Sequence, residues 1–411
     1  MRKRNALKLV LVGSVDHGKS TMIGRLFHDT DSLPDGKLEE IRAASEREGR
    51  DLEFGFIMDH LTEERERGIT IDTAQAFFAT DKRDYVIIDA PGHKEFLKNM
   101  ITGASQADVA ILICGAYEGV EEQTRRHAYV LKLLGIDQTI VAYNKMDLVG
   151  YDRHRFEEVQ SDLLQFLERI GVDPRLEIPI SAKLGDNVAG RSENMPWYEG
   201  PTILGALDQF EKTAQPVNKP VRFPIQDVYE VGGERLAVGR VESGTLERGA
   251  ELTFLPGQSR RRIAEIRKYQ ETDLAKAEPG ECIGVLFEKD GAKRGEVGCP
   301  PDSQPRLADT VQANVFWMMP EALHRGENLS IRCATQEKSC RVTSIRERID
   351  SGTLEHIARD AEELADTEVG EVTIQTETPI VTEPFSEIPE LGRFVLLRGQ
   401  DVVGGGIVTG S

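Results

Sequence analysis

Residues 13–20 read Gly-Ser-Val-Asp-His-Gly-Lys-Ser. A glycine, four further residues and then Gly-Lys-Ser make the pattern of a phosphate-binding loop. The apolar run 7–12 precedes it, and residues 21–27 read as a helix. Strand, loop and helix in this order are what such a loop needs. Its glycines let backbone N–H groups turn around an anion, and the helix N-terminus adds the positive end of its dipole. The stretch makes Gly13, Val15, Asp16, His17, Gly18, Lys19, Ser20 and Thr21 candidate nucleotide-binding positions. Lys19 is expected to reach the β- and γ-phosphates and Ser20 to offer its hydroxyl to Mg²⁺.

A second motif concerns the base. Asn144-Lys145-Met146-Asp147 follows the apolar run 139–143. A carboxylate at Asp147 can accept from both N1–H and the 2-amino group of guanine. Adenine offers no such pair of donors and would leave the acid unpaired. Asn144 is expected to meet other polar atoms of the ring, and the Lys145 stem to lie along the base plane. Ser181-Ala182-Lys183, after another short apolar stretch, is expected to supply a backbone N–H to the guanine oxygen.

A third motif concerns hydrolysis. The strand-like run 85–90 carries Asp89 at its end, followed by Pro91-Gly92-His93. Asp89 can hold Mg²⁺ through water, Gly92 can bring its N–H to the γ-phosphate, and His93 stands where an attacking water would be oriented. Phosphoryl transfer needs positioning and charge neutralisation more than covalent help. Gly68-Ile69-Thr70 supplies a segment that closes over the nucleotide, with the Thr70 hydroxyl on Mg²⁺. Loss of the γ-phosphate would release it. Val15 and Ile69 are candidates for an apolar gate beside His93, or for plain core packing.

Apolar runs at 6–12, 85–89, 109–114, 139–143 and 178–180 alternate with helical stretches. That alternation predicts a mainly parallel, doubly wound sheet over 1–213, and with the three motifs it reads as an α/β P-loop GTPase domain. Gln215-Pro216-Val217-Asn218-Lys219-Pro220 reads as a linker. Beyond it, short strands punctuated by glycines predict two all-β barrel domains, 219–302 and 303–411, with a boundary at Pro300-Pro301. The second barrel is expected to end the chain, with no phosphosulfate-kinase domain behind it.

Residues 13–21, Glu64-Arg65-Glu66-Arg67-Gly68-Ile69-Thr70, 89–93 and 144–147 together resemble the translation-factor GTPases, elongation factor 1-alpha and its relatives in particular. Residues 89–103 and Ser105-Gln106-Ala107-Asp108 carry the same resemblance. Other segments resemble the GTPase subunit of heterodimeric ATP sulfurylase. These are Thr80-Asp81-Lys82-Arg83, Gln123-Thr124-Arg125-Arg126-His127, Gly185-Asp186-Asn187-Val188, residues 195–201, Val315-Phe316-Trp317-Met318 and the charged segment 346–357. His17 and Lys94-Glu95-Phe96 depart from that subunit toward the elongation factors. The resemblance implies bound GTP or GDP, Mg²⁺ on Ser20, Thr70 and Asp89, and His93 as the catalytic residue. It also implies one of two partners. A separate catalytic ATP sulfurylase subunit would couple GTP hydrolysis to adenosine 5′-phosphosulfate synthesis. Alternatively, aminoacyl-tRNA and the ribosome would be the partners of an elongation factor. The sulfurylase reading is the main expectation.

Composition bounds these readings. With 70 acidic and 51 basic residues the net charge is −19, which disfavours a general nucleic-acid coat or an anionic membrane surface. It leaves room for a local tRNA site, for which Arg260-Arg261-Arg262 is the candidate, the alternative being a solvated strand face. The five cysteines, Cys114, Cys282, Cys299, Cys333 and Cys340, match no zinc-ribbon spacing and read as reduced thiols of a cytoplasmic protein. The basic start, Met1-Arg2-Lys3-Arg4, is followed by an apolar run too short for a signal peptide or a membrane span.

Overall fold

A computed structural model describes residues 6–33, 75–88, 107–211, 217–269, 271–289 and 291–410. Contacts divide the chain into two units, residues 1–213 with 351–353, and residues 214–350 with 354–411.

The first unit is built on a six-stranded sheet. Its strands are β1 (Leu7–Gly13), β2 (Gln75–Ala79), β3 (Asp84–Ile88), β4 (Val109–Gly115), β5 (Thr139–Asn144) and β6 (Leu176–Pro179), in the order β2-β3-β1-β4-β5-β6. All neighbours are parallel except the edge pair β2–β3. β4 and β5 are buried at every position, which explains why their sequences are mainly apolar and do not alternate: strands covered on both faces have no polar side to alternate with. Helices cover both faces. On one, Leu7, Leu9, Leu11, Ile111 and Ile113 pack with Met22, Leu26 and Phe27 of α1 (Lys19–Asp29) and with Ile203 and Leu207 of a short helix. On the other, the Tyr143 ring meets Phe156 of α3 (Arg153–Ile170) edge-on at 5.1 Å. Residues 156, 159, 163, 166, 167 and 170 of α3 are buried, the stripe expected of a helix with one covered face. Asp152 starts α3 by accepting the His154 N–H at 3.0 Å, and Gly171 ends it in the left-handed conformation. Between them in sequence, α2 (Glu122–Leu134) follows β4. Chain order runs from β1 to β3 on one side and to β4 on the other, so the end of β1 is the switch point where open α/β sheets bind ligands.

The second unit is all β apart from a short helix. Strands β7 (Phe223–Val231), β8 (Glu234–Arg240), β9 (Glu251–Leu255), β10 (Ser259–Arg267), β11 (Cys282–Phe287) and β12 (Val297–Cys299) close into a barrel. The remainder forms a second sheet. Its strands are β13 (Arg306–Trp317), β14 (Asn328–Cys333), β15 (Gln336–Asp350), β16 (His356–Ala361), β17 (Glu368–Thr382), β18 (Arg393–Arg398) and β19 (Asp401–Gly410). They run in the order β14-β18-β19-β13-β17-β15-β16, and β14 also pairs with β15, so six strands form a closed cycle with β16 at its margin. The fold is therefore the expected one, a P-loop α/β domain followed by β-barrel structure. A buried ion pair joins the two β assemblies: Arg222 donates to both carboxylate oxygens of Glu383 at 2.9 and 2.6 Å, and to the carbonyl of Ser303 at 2.9 Å.

Arg260-Arg261-Arg262 lies on β10, with its middle residue turned into the barrel. Arg261 is buried, bonded to Glu296 at 2.8 Å and stacked 4.5 Å from the Phe254 ring centre. Arg260 faces Glu251 at 3.5 Å, and Arg262 donates to the Gly249 carbonyl at 3.4 Å. Arg261 serves the barrel, while Arg260 and Arg262 stand exposed on the strand face. All five cysteines are free thiols. Among the described residues, no helix is long and apolar enough to cross a membrane.

Candidate functional site

β1 delivers the chain into the loop at Gly13, where φ is +146° and an added Cβ would lie 2.2 Å from the Ile113 carbonyl oxygen. Only glycine fits there. A 3-10 turn over Val15–His17 follows. Gly18, with φ +88°, then leads into α1, and a Cβ on it would fall 2.5 Å from Asn144 Nδ2. The backbone thus curls tightly around the N-terminus of α1, as an anion cradle requires. Lys19 Nζ donates to the carbonyls of Gly13 and Ser14 at 2.8 and 2.7 Å, which places the ammonium across the mouth of the loop. Val15, Asp16 and Ser20 are exposed at this rim, while Thr21 and Gly18 are half-buried.

His17 does something different from its neighbours. Its ring is fully buried. Nδ1 lies 3.2 Å from the Ile113 carbonyl and 3.3 Å from Thr124 Oγ1. Donation to that carbonyl puts the ring proton on Nδ1, leaving Nε2 3.4 Å from Glu121. Burial lowers its pKa from the ordinary histidine value, against the opposing pull of the Ile113 carbonyl, Glu121 and Glu118. The imidazole is a neutral strut beneath the loop, and only the His17 backbone faces the site.

Further struts come from α2. Gly13 N–H donates to His127 Nδ1 at 3.2 Å, and Ser14 Oγ donates to Gln123 Oε1 at 3.0 Å. With Thr124, these residues form one face of α2 at i, i+1 and i+4 spacing. The motif reading missed this role, although Gln123 and His127 at i, i+4 on the helix after β4 carry the signal.

At the base end, β5 finishes at Asn144. This side chain is buried and joins two loops: Nδ2 donates to the His17 carbonyl at 2.8 Å, and Oδ1 accepts the Ala182 N–H at 2.9 Å. Asn144 therefore assembles the site. Of the segment 181–183, expected to supply a backbone N–H to the guanine oxygen, the Ala182 N–H is engaged by Asn144. Ser181 Oγ donates to Asp147 Oδ1 at 2.7 Å and accepts the Leu184 N–H at 3.2 Å, which fixes the carboxylate. Lys145 stands in the left-handed region at φ +65° and forms an ion pair with Glu118. Lys183 is exposed. The structure thus brings the phosphate loop, Asn144–Asp147 and Ser181–Lys183 to one end of the sheet. Thr70, Asp89, Gly92 and His93, together with Ile69, lie outside the described residues, so Ser20 alone of the three expected Mg²⁺ ligands is described. Among the described residues no cluster of His, Cys, Asp and Glu could hold a metal ion.

A phosphate loop at the switch point of a parallel sheet, joined through Asn144 to the hydrogen-bonded Asp147–Ser181 pair, is the arrangement of the class of P-loop guanine-nucleotide-binding domains. Comparison with known proteins agrees. Residues 4–216 match the family described as "Elongation factor Tu GTP binding domain", and residues 310–409 match "GTP-eEF1A C-terminal domain-like". Elongation factor 1-alpha of Methanopyrus kandleri is 44% identical, over 98% of this chain and 97% of that protein. Elongation factor 1-alpha of Aeropyrum pernix is 41% identical, over 100% and 97%. That of Natronomonas pharaonis is 40% identical, over 98% and 97%. The chain belongs to the elongation factor Tu/1-alpha family of translation-factor GTPases, whose GTP-binding domain it carries.

This corrects the sulfurylase expectation. Relatives that match from end to end are named elongation factor 1-alpha, which overturns both the coupling to adenosine 5′-phosphosulfate synthesis and the catalytic ATP sulfurylase subunit as partner. The segments behind that expectation do structural work. Thr80 Oγ1 donates to Asp208 at 2.9 Å, Gln123 and His127 hold the phosphate loop, and Asn187 donates to the Pro179 carbonyl at 2.9 Å. Trp197 packs 5.4 Å from Phe156 and donates to the Tyr151 carbonyl at 3.1 Å. Trp317 is a fully buried core residue of its own sheet. Features that support the GTPase scaffold carry no information about what the scaffold serves.

Proposed function

We propose that this chain is a cytoplasmic, Mg²⁺-dependent GTPase that carries aminoacyl-tRNA to the ribosome in its GTP form and releases it after hydrolysis. End-to-end similarity to elongation factor 1-alpha carries this reading, since it spans the GTP-binding domain and the β domains alike. In this reading the loop from Gly13 to Thr21 holds the phosphates, with Lys19 turning from the carbonyls of Gly13 and Ser14 to the β- and γ-phosphates. Asp147, oriented by Ser181, accepts from the guanine edge, and Lys145 lies along the base. Ser20, Thr70 and Asp89 hold Mg²⁺, which neutralises phosphate charge when bound. Gly92 places an N–H toward the γ-phosphate, and His93 orients water there. The second unit adds a feature suited to RNA. Tyr229 on β7 and Tyr269 after β10 are 54% and 85% exposed, and exposed aromatic rings serve as stacking platforms for unpaired bases.

The test is protection of aminoacyl-tRNA against spontaneous deacylation, with the full chain bound to GTP or to GDP. Protection at micromolar protein with GTP, and little with GDP, is expected. Equal failure with both nucleotides, in a preparation that binds and hydrolyses GTP, refutes the carrier role while leaving the GTPase intact.

A further inference from the structure

Lys145 is the member of the Asn-Lys-Met-Asp motif whose position is hardest to fix. It is a long side chain on a left-handed residue at the rim, 23% exposed, and such a side chain loses substantial rotamer freedom when ordered. Its ion-pair partner, Glu118, is only 20% exposed and sits in the loop after β4. That loop is itself held. Ala116 N–H donates to the Asn144 carbonyl at 2.7 Å and Gly119 N–H to the Gly115 carbonyl at 2.8 Å. From α3, Arg155 donates to the carbonyls of Ala116 at 2.9 Å and Tyr117 at 3.1 Å.

The carboxylate occupies space that a glycine leaves open. A Cβ on Gly115 would lie 2.1 Å from Glu118 Oε2 and 3.1 Å from Cδ2 of His17. Glu118 thus reaches in beside the buried His17 ring of the phosphate loop while its other oxygen, Oε1, takes the Lys145 ammonium. Oε2 is buried and has no hydrogen-bond partner. Leaving a carboxylate oxygen unpaired is costly, so the placement needs a compensating charge, and Lys145 supplies it.

We propose that Glu118 is a positioning residue for guanine-nucleotide binding, holding Lys145 against the base site from the β4 loop. The proposal rests on the reading that Lys145 flanks the base. Glu118 touches neither base nor phosphate in this assignment. Its effect passes through Lys145 and concerns the plane of the base, whereas Asp147 reads the edge.

The test is calorimetric titration of the full chain with GDP and with inosine diphosphate, which lacks the 2-amino group. Glu118→Gln keeps the shape and removes the charge. It should weaken both nucleotides by a similar factor, about three- to tenfold, the range for a partly exposed charge-assisted contact. Lys145→Ala should weaken them at least as much. The double variant should be no weaker than Lys145→Ala alone. Gly115→Ala, which displaces the carboxylate without touching either charge, should reproduce the loss. A Glu118→Gln loss that persists undiminished on the Lys145→Ala background overturns the positioning role while leaving the base site standing. Unchanged binding in Lys145→Ala overturns both. Tighter binding in Glu118→Gln would mean that the carboxylate opposes the nucleotide, and also sinks the proposal.

Discussion

Asn144→Ala is the substitution that separates assembly of the site from contact with the ligand. The Asn144 amide makes two buried bonds, to the His17 carbonyl at 2.8 Å and from the Ala182 N–H at 2.9 Å. Truncation leaves both backbone groups unpaired, at about 1–3 kcal/mol each. Water entering the gap and movement of the two loops reduce the sum, and about 3 kcal/mol is a reasonable net figure. Both loops border the proposed nucleotide site, so the unliganded protein can relax by letting them part. The cost then falls on binding, where 3 kcal/mol is about a hundredfold in Kd. GDP titration by calorimetry measures it, and thermal unfolding with and without GDP shows where the energy goes. The unliganded variant should unfold near the wild-type temperature, and the stabilisation normally conferred by GDP should shrink. Asn144→Asp keeps an acceptor for Ala182 but sets a carboxylate oxygen against the His17 carbonyl, so its loss should match or exceed that of alanine. A folded Asn144→Ala protein with Kd within about threefold of wild type would refute the reasoning, because the joined loops would then be irrelevant to affinity.

Three other outcomes follow from particular contacts. Asp147→Asn replaces a double acceptor with a group that can donate, so preference should move from guanine toward xanthine nucleotides, measured as the ratio of GDP to xanthosine diphosphate affinity; an unchanged ratio removes Asp147 from base recognition. Glu383→Ala strips the partner from buried Arg222 and should destabilise the β unit by about 3–5 kcal/mol in denaturant unfolding, whereas a loss below about 1 kcal/mol would mean that water reaches the guanidinium. Burial pushes the Glu242 carboxyl up to about 7, with Arg240 and Arg393 opposing and Glu390 adding to the rise. Because the folded pKa lies above the unfolded value of about 4.5, its contribution is full below pH 4.5 and is lost as pH rises through 7, by up to about 3 kcal/mol. Glu242→Gln should flatten that part of the stability profile relative to wild type; parallel profiles between pH 5 and pH 8 would show that the carboxyl titrates normally.

The sheet was legible wherever burial is complete. Runs such as Val109–Gly115 and residues 140–143 are apolar because both faces are covered, and that signal survives without any partner information. β2 was not legible. It is a five-residue antiparallel edge strand on which Phe77 is 62% exposed while Phe78 is buried, so its apolar residues do not mark a covered segment. In the second unit, glycines and short alternating runs disclosed barrels but not their closure. Closure rests on pairs far apart in sequence, such as Phe254 with Gly298 and Ser330 with Leu397.

The site divides along a similar line. Spacing within one short segment identified the phosphate loop and Asn144–Asp147, because those motifs reflect local backbone geometry. Spacing could not assign the roles of His17 and Asn144. Each was expected to face the nucleotide, yet the His17 ring points into the core and the Asn144 amide spends both its ends on other loops. The hydrogen-bonding capacity that makes asparagine suitable for recognising a base also makes it suitable for joining two backbones. Only the partner's position in space decides between the uses. The same holds for Gln123, Thr124 and His127, which lie over 90 residues from the phosphate loop in sequence and reach it only because β4 lies next to β1. A perturbation of α2 is therefore expected to act on nucleotide affinity through the loop's support, and residues chosen by motif alone would leave that lever out.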